Sequence, residues 1–280
     1  MNHDVINKLR TVMIELLDEF ARICEDNNLT YFLTAGTLLW AIRHKGFIPW
    51  DDDMDVAMPR IDYEKFIDIF NNITEGNYYL LSYKSQDKAA IHCKHFAKLC
   101  KKGTVFAEAY KASDSYPGIY IDIFPIDNCF LFFVPIQTAL IRIARKVYRM
   151  KIKSAVFKNR FQLFFCKLLC CFFSKKSIDI IHRKLHVIFK NCNTKYVSSF
   201  GGRYHYRKET HRYDSIFPLT KVLFEGKYYY APNNYDLFLK TLYGNYMELP
   251  PVAEQRGIHE PLFIQFDDSD TYFPDAGSTE

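Results

Sequence analysis

The sequence predicts an α/β (α+β) fold, and three observations carry the prediction. Residues 5–25 place Val5, Leu9, Val12, Met13, Leu16, Leu17, Phe20, Ile23 and Cys24 on one stripe at helical spacing. Residues 118–124 alternate Ile119, Ile121 and Ile123 with Tyr120, Asp122 and Phe124, the period of a strand. Between them, helix-like and strand-like segments interleave.

The elements follow in order. After the turn Asp26-Asn27-Asn28, Tyr31-Phe32-Leu33 reads as a short strand. Gly36-Thr37 opens a short helix to Arg43, and an extended segment runs from Trp50 to Met58. Pro59 suits the first turn of a helix over Arg60–Phe70. Tyr78–Tyr83, Cys93–Cys100 and Gly118–Phe124 read as strands, and residues 129–190 as helices. Residues 222–230 read as a hairpin arm, and Tyr235–Tyr243 as a helix stopped by Gly244. The expected organisation is a catalytic core over 1–128, a basic aromatic-rich helical insert over 129–200, a C-terminal part over 201–266 packing on the core, and a polar tail over 267–280.

The chain of 280 residues is 49% apolar and 25% charged, which excludes a disordered protein. Its net charge of +5 averages two opposite regions. From Arg142 to Lys190 there are 14 Lys and Arg and one acid, Asp179, a net +13. The rest holds 23 bases and 31 acids, a net −8. Eight scattered cysteines and an N-terminus unlike a signal peptide suggest free thiols in the cytoplasm. The longest uncharged apolar run, Cys129 to Ile141, is 13 residues and too short to span a bilayer.

The chemistry concentrates in Pro49-Trp50-Asp51-Asp52-Asp53-Met54-Asp55-Val56. On a strand, Asp51, Asp53 and Asp55 would share one face about 6.5–7 Å apart. Such an array repels itself unless cations compensate it, and hard oxygen ligands suit Mg²⁺ or Mn²⁺. A solvated acidic turn is the plainer alternative. Asp122, inside an apolar strand, completes a metal site with Asp53 and Asp55 or pairs with a base. Upstream, Gly36-Thr37 at a helix start offers free N–H groups to an anion. A glycine turn followed by Asp-x-Asp describes a nucleotidyltransferase-type site, where metals on carboxylates bridge a pyrophosphate.

The stretch Gly36-Thr37-Leu38-Leu39-Trp40-Ala41-Ile42-Arg43-His44-Lys45-Gly46-Phe47-Ile48-Pro49-Trp50-Asp51-Asp52-Asp53-Met54-Asp55 resembles the signature of the LicD family. That family includes bacterial phosphocholine transferases and is related to fukutin and fukutin-related protein. Ile121-Asp122-Ile123-Phe124-Pro125-Ile126-Asp127 resembles its second motif. Tyr243-Gly244-Asn245-Tyr246-Met247 with Leu249-Pro250-Pro251 resembles its C-terminal motif. The resemblance implies a nucleotidyltransferase-like core with a mixed sheet. It implies metal-dependent transfer of a phosphorylated alcohol from a CDP-activated donor to a hydroxyl of a cell-surface glycan or its lipid-linked precursor, with release of CMP. Lipopolysaccharide, capsule and teichoic acid are glycans of that kind. Phosphoglycerol, phosphoribitol or nucleotidyl transfer on the same fold is the alternative, and a non-catalytic glycan- or membrane-binding protein is the second.

Carried onto this chain, the resemblance makes Asp53 and Asp55 metal ligands and Asp122 the third carboxylate. Asp51 or Asp122 would take the acceptor proton. Arg43, His44 and Lys45 are phosphate-neutralising candidates, Arg43 best suited to a forked contact or else paired with an acid of the run. Lys98 faces phosphate or pairs with Asp122, and His259 serves the site or a structural hydrogen bond. Trp40 departs from the small residue usual in the family and would narrow the donor pocket.

In the basic middle, Phe161, Leu163, Phe164, Phe165, Leu168, Leu169, Phe172 and Phe173 lie among Lys and Arg. That pattern suits a helix in an anionic membrane interface, and so a peripheral location at the inner face. A helical subdomain with a solvated basic face is the competing reading. Nothing resembles an RNA-recognition motif, and no nucleic-acid partner is expected. Cys166-x3-Cys170-x11-His182-x3-His186 approximates zinc spacing but lacks the hairpin of a finger. His92, Cys93 and His95 read as strand packing.

Overall fold

The computed structural model describes residues 3–73, 76–87, 89–90, 93, 95–108, 116–152, 160–255, 257, 259, 261–267 and 270–273. His92, part of the basic middle and most of the expected polar tail lie outside the described residues. The chain forms two compact units, residues 1–125 with 214–280, and residues 126–213.

The first unit opens with α1 (His3–Asp26), whose predicted stripe is buried from Leu9 to Cys24. Asn28 stops it in the left-handed region (φ 54°), and the Leu29 N–H donates to Cys24 O at 2.8 Å. There follow β1 (Phe32–Leu33), α2 (Ala35–Arg43), β2 (Asp55–Pro59), α3 (Arg60–Asn71), β3 (Tyr78–Leu81), β4 (Ala97–Lys101), β5 (Val105–Glu108) and β6 (Tyr120–Cys129). The sheet runs β1-β2-β6-β4-β3, with the α/β expectation met. Strand β4 is antiparallel to β6 and sets Lys98 opposite Asp122.

The second unit takes the end of β6, then α4 (Val134–Lys151), α5 (Arg160–Phe172), α6 (Lys175–His186), β7 (Tyr196–Ser198), α7 (Tyr206–Glu209) and β8 (Thr210–Arg212). Helix α4 packs on α5 and α6 around Ala144, Val147, Tyr148, Cys166 and Ile178. Cys170 Sγ faces Met150 Sδ at 3.4 Å, whereas His182 and His186 meet edge to face with ring centroids 4.8 Å apart. Residues 201–213, read from sequence with the C-terminal part, sit in this unit because β8 pairs with β7 and β7 with residues 127–129 of β6.

The chain returns to the first unit through α8 (Tyr213–Ile216), the hairpin β9 (Thr220–Phe224) and β10 (Lys227–Ala231), α9 (Tyr235–Tyr243), β11 (Pro261–Gln265) and β12 (Thr271–Tyr272). Glu225 and Gly226 both take positive φ, 47° and 79°, the geometry a two-residue hairpin needs. Gly244 at φ 74° ends α9 as expected. Strand β11 pairs with β5, which the sequence pattern did not reveal.

Candidate active site

The acidic run departs from its expected form. The strand ladder begins only at Asp55, and residues 51–54 are irregular. The Asp51 N–H donates to Ile48 O at 3.2 Å, and the Asp52 N–H turns back to Asp51 Oδ1 at 3.2 Å. Those bonds close a turn where a ladder would need the same N–H groups. The two-residue alternation survives nonetheless. Asp51, Asp53 and Asp55 are half-buried, while Asp52, Met54 and Val56 are buried.

Helix α2 holds the turn in place. Trp40 is fully buried against Phe47 and Phe224, and its indole N–H donates to Asp51 Oδ2 at 2.9 Å. Gly36 sits alongside, where an added Cβ would stand 3.4 Å from the same oxygen. Thr37 is also fully buried, and its Oγ1 accepts the Asp55 N–H at 2.7 Å. The Thr34 N–H donates to Asp55 O at 3.2 Å. The Gly-Thr pair therefore positions carboxylates, with the Thr37 hydroxyl already committed to strand β2. From α1, Arg10 Nη2 donates to Ile48 O at 2.5 Å and reaches Asp51 O at 3.5 Å, placing a cation under the turn.

The electrostatics are those of crowded acids. Burial pushes Asp53 well above the usual carboxylate range, with Asp51, Asp52 and Asp122 adding repulsion. Asp55 is driven up by burial, then by Asp53, Asp122 and Asp51. Burial and Asp52 raise Asp51, which shares a hydrogen bond with Asp53. A backbone bond from the Asp122 N–H to Met54 O, at 2.8 Å, ties β6 to the run. Asp122 itself pairs with buried Lys98, Nζ to Oδ1 at 2.5 Å. An all-oxygen, half-buried, mutually repelling donor set is one a hard divalent cation fits.

Lys98 begins a chain of contacts that reaches the C-terminal segment. Its ammonium lies 3.3 Å from the Tyr120 ring centroid. Tyr120 Oη donates to Glu108 Oε2 at 3.2 Å. His259 sits between two buried acids, with Nε2 3.5 Å from Glu108 Oε1 and Nδ1 3.4 Å from Asp52 Oδ1. Sequence reasoning missed Arg10, Glu108 and Tyr120. The available signal was Glu108 two residues beyond Phe106, an acid on the same strand face as a large apolar side chain.

The structure does not join Arg43, His44 and Lys45 to the carboxylates among the described residues. Arg43 Nη1 donates to the carbonyls of Tyr246, at 2.8 Å, and Glu248, at 3.2 Å. Both bonds come from Nη1 and reach the C-terminal motif, and neither is to an acid of the run. His44 is exposed and closes α2, its N–H donating to Trp40 O at 2.9 Å. Lys45, also exposed, accepts the Glu225 N–H on its carbonyl at 3.0 Å.

Comparison with known proteins bears on this site directly. Residues 28–134 match the LicD/FKTN/FKRP nucleotidyltransferase domain, a span that holds α2, the acidic turn, Lys98, Glu108 and Asp122. The chain is 29% identical over 268 residues to the lipopolysaccharide cholinephosphotransferase LicD of Haemophilus influenzae, covering 91% of this chain and 96% of that one. An uncharacterized protein of Rickettsia typhi is 28% identical over 115 residues, 41% of this chain and 34% of that one.

Proposed function

We propose that this protein, whose residues 28–134 match the LicD/FKTN/FKRP nucleotidyltransferase domain, transfers a phosphocholine-type group from a CDP-activated donor to a hydroxyl of a cell-surface glycan or its lipid-linked precursor. One observation carries the reading. The matched span brings Asp51, Asp53 and Asp55 together, each with its proton affinity raised by burial and by neighbouring acids, and sets Asp122 close enough to add to the repulsion on Asp53 and Asp55. The likeness to a cholinephosphotransferase along nearly the whole chain supports phosphocholine as the group and lipopolysaccharide as the kind of acceptor.

Asp53 and Asp55, with Asp122, would hold Mg²⁺ or Mn²⁺. When bound, such an ion neutralises the donor pyrophosphate and the charge developing on the leaving group. The chain's own residues do the rest. An acceptor hydroxyl attacks the donor phosphorus attached to the alcohol, a new O–P bond forms, the bond to CMP breaks, and the hydroxyl proton passes to a carboxylate. Asp122 is already engaged by the Lys98 ammonium. Asp51, aimed by the Trp40 N–H, is the base in this account. His259 and Lys98 orient Asp52 and Asp122, and Arg43 anchors the C-terminal motif to α2.

A membrane-bound acceptor fits the second unit. No helix among the described residues is long and apolar enough to cross a bilayer. Residues 129–190 expose Phe132, Phe161 and Phe172 at 81, 74 and 75% beside the cationic side chains, as a peripheral contact with an anionic leaflet would require. Incubation with CDP-choline, CDP-glycerol and CDP-ribitol plus Mg²⁺ or Mn²⁺ tests the function, with products resolved by mass spectrometry. The reading expects CMP and a phosphocholine product. Activity only with the other two donors would move the assignment to another alcohol, and no CMP from any would remove it.

A further inference from the structure

In the second unit, helices α4 and α5 leave a groove of about 610 Å³ between them. That is within the range of small-molecule sites. Its apolar lining comes from Ile143 on α4 and from Phe161, Phe165 and Cys166 on α5. The cations lining it are Arg142, Arg145, Lys146 and Arg149. Their spacing, i, i+3, i+4 and i+7, puts all four on one face of α4. No acid lines the groove among the described residues. Lys146 Nζ donates to Gln162 Oε1 at 2.5 Å, which links the two helices across it. Burial lowers the proton affinity of Arg145, and the neighbouring charges of Arg142 and Arg149 lower it further. A groove lined by these cations and by no acid among the described residues is complementary to an anion.

The apolar lining narrows the anion's chemistry. A sugar phosphate would leave Phe161 and Phe165 facing water, whereas an amphiphile covers both parts of the groove, and the outward aromatics of α5 favour a lipid. The same helix carries Phe164 and Phe172 outward, 67 and 75% exposed, and Leu168 lies exposed between them. Isolated exposed apolar residues are ordinary, but a run of aromatics on one basic helix marks an interaction surface.

We propose that the α4–α5 groove binds one anionic membrane phospholipid, its phosphate on Arg142, Arg145, Lys146 and Arg149 and its acyl chain against Phe161 and Phe165. The inference rests on the membrane contact of the functional reading and sharpens it from a basic surface to a site for a single lipid. Lipid occupancy would dock the enzyme on the leaflet that carries its acceptor.

The test uses the full chain with vesicles of phosphatidylcholine, alone or with a quarter phosphatidylglycerol. Binding is expected only to the mixed vesicles, and short-chain phosphatidylglycerol should give a one-to-one adduct in native mass spectrometry. Arg142→Gln/Arg145→Gln should weaken vesicle binding about tenfold or more. Lys175→Gln/Lys176→Gln removes the same charge from α6 and should cost far less. Phe161→Ser, at an exposed position that tolerates the change, should abolish the adduct. Equal losses in the two charge variants would overturn the site in favour of a diffuse basic surface. Binding of an acidic peptide in place of the lipid would overturn the choice of ligand. Release of CMP with a water-soluble acceptor should stay unchanged in every groove variant, so loss of docking is distinguishable from failure of the transferase reading.

Discussion

The Trp40 indole N–H donates to Asp51 Oδ2 at 2.9 Å, from a side chain with no solvent exposure. Trp40 stands where the LicD family usually has a small residue, and its bulk has a local use. It packs with Phe47 and Phe224 and fixes one carboxylate of the acidic turn. Trp40→Phe keeps most of that packing and removes the donor. The expected result is a stability loss of about 1 kcal/mol and a roughly tenfold fall in kcat with little change in KM. Unchanged turnover in a steady-state assay would show that Asp51 needs no such alignment.

The pair Lys98–Asp122 is buried on the lysine side, with 4% exposure of that side chain. Lys98→Met removes the ammonium that lies over the Tyr120 and Phe96 rings and leaves the Asp122 carboxylate without its cation, and should cost on the order of 3–5 kcal/mol in a urea melt. Adding Asp122→Asn should restore much of that stability, because no uncompensated charge remains, while activity stays lost. A double variant as unstable as the single one would mean that Lys98 acts by packing alone.

Arg43 discriminates between two roles. Bonded to the carbonyls of Tyr246 and Glu248, it joins α2 to the C-terminal motif. Arg43→Gln should lower stability by about 1–2 kcal/mol and leave donor KM within a few-fold. A KM rise of about a hundredfold at unchanged stability would assign it to donor phosphate instead.

Glu209 makes the second unit pH-sensitive. Burial raises its carboxyl from the ordinary 4.5 to about 7, partly offset by the Tyr204 N–H that donates to Oε1 at 2.9 Å. The folded state thus holds a proton that the unfolded chain releases. Its contribution is full below about pH 4.5 and is lost as pH rises through about 7. Glu209→Gln keeps the acceptor and removes the titration. The variant should match the parent near pH 4 and exceed it by about 2–3 kcal/mol near pH 8 in denaturant melts of this unit. Parallel stability curves across that range would contradict the protonated carboxyl.

What the sequence disclosed follows the range of the interactions. The stripe of α1 and the stop at Gly244 are local and were legible from periodicity and turn chemistry, whereas the stretch 222–230 read as one hairpin arm holds parts of both β9 and β10, with the turn at Glu225-Gly226 in its middle. Asp122 stood out because it interrupts an apolar alternation. The acidic run was legible as a site but not in its backbone form, because the bonds from Asp51 and Asp52 that fold it into a turn depend on Ile48 and Trp40 around it. Glu108 stayed hidden because its partners, Tyr120 and His259, come from β6 and from the C-terminal segment. Strand β11 was hidden for the same reason: it opens on a proline, and its pairing with β5 joins residues more than 150 positions apart.

The most direct measurement is CMP release from CDP-choline by the parent protein, with Mg²⁺ present or chelated, beside the folded Asp53→Asn/Asp55→Asn variant. The account predicts turnover by the parent only with the metal, and none by the variant at any metal concentration, with the variant's melt and circular dichroism retained. Full activity in the double variant would contradict it.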